Sequence, residues 1–259
     1  MTVGPNHETP QDFWVELRRS TQARIGLGRT GDALPTEQVL ELRSAHAAAR
    51  DAVHQPLDVD LLATQLDAAG LGRPVRVTSR ASSRAEYLRR PDLGRLPADL
   101  TGVPRSGAEV GFVLADGLSP RALSDHGVAL LTALTNELTD RYTLAPPVIA
   151  TEARVALGDH IAEAMGVQTV VVLIGERPGL SVADSLGIYL THLPRPGRTD
   201  ADRNCISNIH PPEGLGYEQA ARVVSGLLTG ARTLGRSGVD LKDTSRSDEL
   251  SAGETLPLE

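Results

Sequence analysis

Residues 168–208 read QTVVVLIGERPGLSVADSLGIYLTHLPRPGRTDADRNCISN. The run Val170-Val171-Val172-Leu173-Ile174 is apolar throughout and rich in β-branched residues, which predicts a strand covered on both faces, as in a parallel sheet. It stops at Gly175-Glu176-Arg177-Pro178-Gly179. Two glycines and a proline permit a tight loop at the strand's carboxyl end, where open α/β sheets bind their ligands. A second strand is predicted over Leu186–Leu190. A polar segment, Asp202-Arg203-Asn204-Cys205-Ile206-Ser207-Asn208, then carries the only cysteine. Two ligand-facing loops this close together mark a binding region.

Upstream, strands and helices alternate from Ala108 onward. Glu109–Leu114 predicts a strand, and Asp116-Gly117-Leu118-Ser119-Pro120 its carboxyl-end turn. Ser119 is placed to cap the next helix, with Pro120 at its first position. A strand over Pro147–Ala150 and a short helix from Ala156 to Met165, closed by Gly166, lead to the 169–174 strand. This βαβαβ order predicts a doubly wound, mostly parallel, Rossmann-like α/β sheet with right-handed crossovers.

The first hundred residues read differently. Helices are expected over Gln11–Arg24, from a cap at Thr36 to Val53, and from Val59 to Ala69 before Gly70. The chain therefore divides into a helical N-terminal portion (1–100), an α/β domain (101–242) and an acidic tail (243–259) too poor in apolar residues to fold. Gly26-Leu27-Gly28-Arg29-Thr30-Gly31 matches the spacing G-x-G-x-x-G. The dinucleotide fingerprint also needs a strand before it and a helix directly after it, and neither is predicted here. Arg84, Arg89, Arg90 and Arg95 suggest an anion site or an acidic partner surface, or else a solvated charged face. Past the Pro211-Pro212 pair, an amphipathic helix is expected over Tyr217–Leu234, with Ala220, Ala221, Val224, Leu227, Leu228 and Ala231 on its apolar face.

Composition bounds the function. The chain has 259 residues, 40% of them hydrophobic and only 3% aromatic, so the core must be aliphatic. A formal charge of −7 argues against binding a nucleic-acid backbone. One cysteine permits no internal disulfide, which fits a reducing compartment. No apolar stretch reaches the roughly 18 residues of a membrane span, and MTVGPNHETPQD lacks the layout of a signal peptide. The expectation is a soluble cytoplasmic protein.

No catalytic cluster is legible. The sequence holds no G-x-S-x-G, no G-x-x-x-x-G-K-[ST], no H-E-x-x-H and no C-x-x-C, and no two histidines fall at helical spacing. No metal site is expected. Asp116, Glu176 and Cys205 each fall just past an expected strand end, which would bring them to one sheet edge. Each also has a plainer reading: a turn-forming aspartate, a loop charge or partner for Arg177, and a packed thiol.

Ile174-Gly175-Glu176-Arg177-Pro178-Gly179-Leu180 and Ala201-Asp202-Arg203-Asn204-Cys205-Ile206-Ser207-Asn208-Ile209-His210 closely resemble the small subunit of ethanolamine ammonia-lyase. So do Leu17–Thr21, Gly28–Gly31, Tyr87–Arg95, Asp116–Ser119 and Ser237-Gly238, in the same order over roughly residues 13–242. The resemblance implies an adenosylcobalamin enzyme that converts ethanolamine to acetaldehyde and ammonia by a radical rearrangement. It implies a large TIM-barrel subunit that carries the catalytic side chains, and a small subunit that closes over the cobalamin lower face and nucleotide tail. Cobalamin contacts carry over to Val155, Glu176 and Cys205. Some relatives have a longer N-terminal extension associated with a bacterial microcompartment, which leaves that location open here. Such a division of labour accounts for ligand loops without a catalytic cluster. Since no histidine here has an aspartate two positions before it, the cofactor is expected base-on. The competing expectation is a self-sufficient α/β enzyme that binds a nucleotide or phosphorylated ligand through Asp116 and Glu176.

Overall fold

The computed structural model describes residues 10–243, with side chains from Phe13. Residues 1–9 and the acidic tail beyond Asp243 lie outside the described residues. Six strands form one sheet in the order β1-β3-β2-β4-β5-β6: β1 Val75–Thr78, β2 Val110–Ala115, β3 Val148–Thr151, β4 Thr169–Gly175, β5 Leu186–His192 and β6 Asn204–Ile209. The helices are α1 Pro10–Arg19, α2 Thr36–His54, α3 Val59–Ala68, α4 Arg84–Arg89, α5 Pro120–Leu138, α6 Leu157–Met165 and α7 Tyr217–Leu234.

The α/β class is as expected, but the sheet is mixed. β1, β3, β2 and β4 are parallel, whereas β5 runs antiparallel to β4, and β6 antiparallel to β5. The connection from Glu176 to Ser185 explains the reversal, because a parallel return requires a crossover of about a dozen residues or more. β1 also lies within the portion expected to be helical, and its pairing with β3 makes it part of the sheet.

Alternation along the strands supplies two cores. Val171 and Leu173 of β4 face one side, packed with Phe112 and Leu114, α5, α7 and Leu62 and Leu66 of α3. Val170, Val172 and Ile174 face the other side, packed with Val113, Ala115 and α6. The six apolar α7 positions named from the sequence are all buried in the first core. α5 begins as expected, Ser119 accepting the Ala122 N–H at 3.3 Å with Pro120 at the first position. α6 ends at Gly166 in the left-handed conformation.

Two helix boundaries differ from expectation, while α3 begins at Val59 as expected. α1 ends at Arg19 rather than Arg24. Pro35 occupies the N-cap of α2, with Thr36 already helical and no side-chain cap. Asp58, which the sequence reading passed over, caps α3 through the Leu61 N–H. The Gly26–Gly31 loop follows a helix, not a strand, and Trp14 packs against Gly26.

Candidate functional site

A cleft of about 440 Å³ opens at the carboxyl ends of β2, β3 and β4. This is where a parallel sheet presents its loops, and α5 and α6 leave neighbouring strands toward opposite faces, as at a switch point. Close backbone approach builds its base. A Cβ on Gly175 would stand 2.0 Å from the Ser119 carbonyl oxygen, and one on Gly117 would stand 2.2 Å from that of Gly175. Only glycine lets the turn after β2 lie against the end of β4.

Glu176 and Val155 both line this cleft. The Glu176 carboxylate is fixed, its Oε2 accepting the Ser185 hydroxyl at 2.7 Å and the Asn208 N–H at 3.2 Å. It is not paired with Arg177, which is exposed. Oε1 lies above Gly187, where a Cβ would come within 3.0 Å of it. Among the described hydrogen bonds, Oε1 accepts none, so it is left to accept a donor from a ligand.

Cys205 departs from expectation. It lies within β6, not past the end of a strand, and it is exposed. It lines a second cavity, against α7, and is joined to the cleft through its cross-strand neighbour Tyr189. Val172, Tyr189 and Cys205 form one row across β4, β5 and β6, passing from the core to solvent. Tyr189 lines the cleft and is the cross-strand neighbour of Cys205. Burial, with the thiol beside it, pushes the Tyr189 phenol up to about 12. Burial also raises the Cys205 thiol, so it stays protonated near neutrality.

Asp116 does follow β2 directly, but it is 2% exposed and does not line the cleft. Its carboxylate accepts the N–H groups of Glu152 at 2.8 Å and Ala153 at 2.9 Å and lies 3.5 Å from Arg84. Burial nevertheless pushes it up to about 7. Asp116 is thus a bracket, and it holds Glu152 at φ 51°, a backbone state costly to a non-glycine residue. Arg84 also changes role. Its guanidinium bridges Asp116 and Glu152 and donates to the carbonyls of Gly117 and Val53, so it is an internal strut and not part of an arginine surface. Arg89, Arg90 and Arg95 are exposed, with Arg90 paired to Asp92.

The sequence reading missed Tyr87, Arg154 and Tyr189 as cleft residues. Tyr87 is fully buried, donates to the Ala153 carbonyl at 2.9 Å and lies beneath the guanidinium of Arg154. Strand alternation offered a signal for Tyr189, since it shares a face with Gly187. Nothing local marks the other two.

A buried ion pair supports the β6 side. Arg203 donates to Asp159 at 2.8 and 2.7 Å and also to Thr191 and to the Arg198 carbonyl. It joins the start of β6 to the first turn of α6. The Ser237-Gly238 segment closes against the same strand, Gly238 donating to Asn204 at 2.8 Å.

The chain matches known proteins over nearly its whole length. The family model for the ethanolamine ammonia-lyase light chain (EutC) matches residues 11–242. The chain is 73% identical over 248 residues to the ethanolamine ammonia-lyase small subunit of Rhodococcus erythropolis, covering 96% of each chain. It is 46% identical to that of Rhodopseudomonas palustris strain BisA53, covering 93% of this chain and 94% of the relative. Identity to the Pseudomonas fluorescens strain Pf0-1 small subunit is 44%, over 94% and 91%.

Proposed function

The chain belongs to the ethanolamine ammonia-lyase light-chain family, a small subunit of a two-subunit lyase, and on that premise we propose that its cleft binds the adenosylcobalamin on which that enzyme depends. The reading assigns Val155, Glu176 and Cys205 to the lower face and nucleotide tail of the cofactor. The large subunit, a TIM barrel in this reading, covers the other side and carries the catalytic side chains. When bound, the cofactor supplies the radical chemistry that turns ethanolamine into acetaldehyde and ammonia.

One observation carries the proposal: residues from three separate stretches of chain come together, Val155 and Glu176 in the cleft and Cys205 joined to it through Tyr189. The donor set fits a corrinoid, whose rim carries amide groups. Glu176 Oε1 accepts an amide N–H and its second oxygen is already held. Gly187 leaves the strand flat beneath that carboxylate. Val155 and the Tyr189 ring exclude water from an apolar edge, and the protonated Cys205 thiol is a weak neutral donor. The residues lining the cleft include no histidine, which supports base-on binding. The rival enzyme reading loses its pair of carboxylates, because Asp116 is internal.

The test uses the two-subunit complex. Ethanolamine deamination should require both chains together, and Glu176→Gln should raise the cobalamin Kd, read by visible absorbance, by about tenfold. Deamination by this chain alone, or an unchanged Kd, would overturn the proposal. A histidine nitrogen on cobalt in the electron spin resonance spectrum would overturn the base-on claim.

A further inference from the structure

Among the described residues that line the cleft, Arg154 is a half-buried cation without an ion pair. Its Nε is shielded from solvent without a hydrogen-bond partner. Among the described residues, its guanidinium takes part in no ion pair and donates to no acceptor. Its one side-chain interaction is with the ring of Tyr87, 4.6 Å from guanidinium carbon to ring centroid. Arg84, 4.9 Å from the same ring, is by contrast consumed by Asp116, Glu152 and two backbone carbonyls.

The position of Arg154 is fixed from several sides. The neighbouring Ala153 N–H is held by Asp116 and its carbonyl by Tyr87. The Arg154 N–H itself donates to the Gly94 carbonyl at 2.8 Å. Gly94 is without a side chain where one would meet the Tyr87 ring at 2.8 Å and the Arg154 stem at 3.1 Å. A guanidinium is a planar fork of donors, and stacking on an aromatic ring leaves the edge of that fork free. Placing an unpaired charge so deliberately is costly unless something accepts from it.

Resting on the cofactor reading above, we propose that Arg154 is a cofactor-binding residue, donating to an acceptor oxygen of the bound corrinoid while Glu176 accepts on the same cleft. Two kinds of oxygen on one cobalamin qualify: the phosphodiester of the nucleotide tail and the carbonyls of the rim amides. Arg177, exposed at the same cleft, adds positive charge at its mouth.

The experiment measures Kd by visible absorbance for cobalamin, and for cobinamide, which lacks the nucleotide and its phosphodiester. The two-subunit complex is used, wild type and with Arg154→Gln, Arg154→Lys or Glu176→Gln. Loss of a charged hydrogen bond should raise the cobalamin Kd of Arg154→Gln by about tenfold or more, with Arg154→Lys recovering part of it. If cobinamide binding is unchanged in Arg154→Gln, the acceptor is the phosphodiester; if it weakens equally, the acceptor is a rim carbonyl. A role confined to packing on Tyr87 predicts a lower Tm without a change in Kd, and that result overturns the proposal. Weakening by Glu176→Gln alone overturns it too and leaves the cofactor reading standing. No effect from either variant overturns both.

Discussion

Asp116 Oδ1 accepts the backbone N–H of Ala153 at 2.9 Å, so the carboxyl end of β2 sets the course of the chain as it leaves β3. The two residues after Ala153 are Arg154 and Val155, both of which line the cleft. A side chain that touches no ligand in this arrangement therefore decides where two ligand-facing residues stand.

That bracket has a pH signature. Burial raises Asp116 from 3.8 to about 7, so the folded state holds the proton more tightly than the unfolded chain. Its contribution favours folding at acid pH and is lost as pH rises from about 4 through about 7. Urea midpoints of the wild type should fall relative to Asp116→Asn over that window. His126 and His192, both lowered by burial, lose stability in the opposite direction, on acidification, but are present in both proteins. Parallel curves would show that Asp116 is ionised throughout.

Gly175→Ala should be strongly destabilising, by about 3 kcal/mol, because the added Cβ meets the Ser119 and Asp116 carbonyl oxygens at 2.0 and 2.7 Å. Gly179→Ala, four residues on, meets only the Val182 carbonyl at 3.4 Å and should be close to neutral. Thermal unfolding of the two variants checks the contrast. Equal midpoints would mean that the loops after β2 and β4 part easily.

Arg203→Met leaves the Asp159 carboxylate buried without its bidentate partner, which costs about 3–5 kcal/mol. Adding Asp159→Leu should recover most of that loss, since two apolar side chains replace two buried charges. A double variant no more stable than the single one would place the value of Arg203 in its bonds to Thr191 and the Arg198 carbonyl instead.

Cys205 is exposed but its thiol is raised above 9 by burial of the sulfur. Iodoacetamide should modify it slowly at neutral pH, and faster as pH passes above about 9, because the thiolate is the nucleophile. Fast, pH-independent modification at pH 7 would mean that the surroundings of the sulfur favour the thiolate despite burial.

Much of this fold is written locally. The 170–174 run, the Ser119-Pro120 start of α5, Gly166 and the apolar face of α7 each follow from propensity and period, and each stands where expected. β6 was less legible. It is an edge strand, and the register shift between Leu186 and Ile188 leaves its buried residues, Ile206 and Ile209, three apart instead of two. A bulge of that kind erases the alternation by which a strand is read. β1 is short, with a burial pattern that alternates weakly. The reversal of β5 was within reach, since the length of the connection excludes a helical crossover.

By itself the sequence determined the α/β class, the strand that leads to Glu176, the glycines that let loops approach, and membership of a family through motifs kept in register. Those are properties of neighbouring residues, which share one stretch of backbone and one period. Only the tertiary structure decided which charges are free. Asp116 and Arg84 look like ligands in the sequence and are consumed by each other and by the backbone of residues 117, 152 and 153. Arg154 carries no mark in the sequence and is left unpaired at the cleft. Pairing depends on distances between residues remote in the chain, and burial makes each unmet charge costly, so a site's chemistry is fixed where the chain comes back on itself.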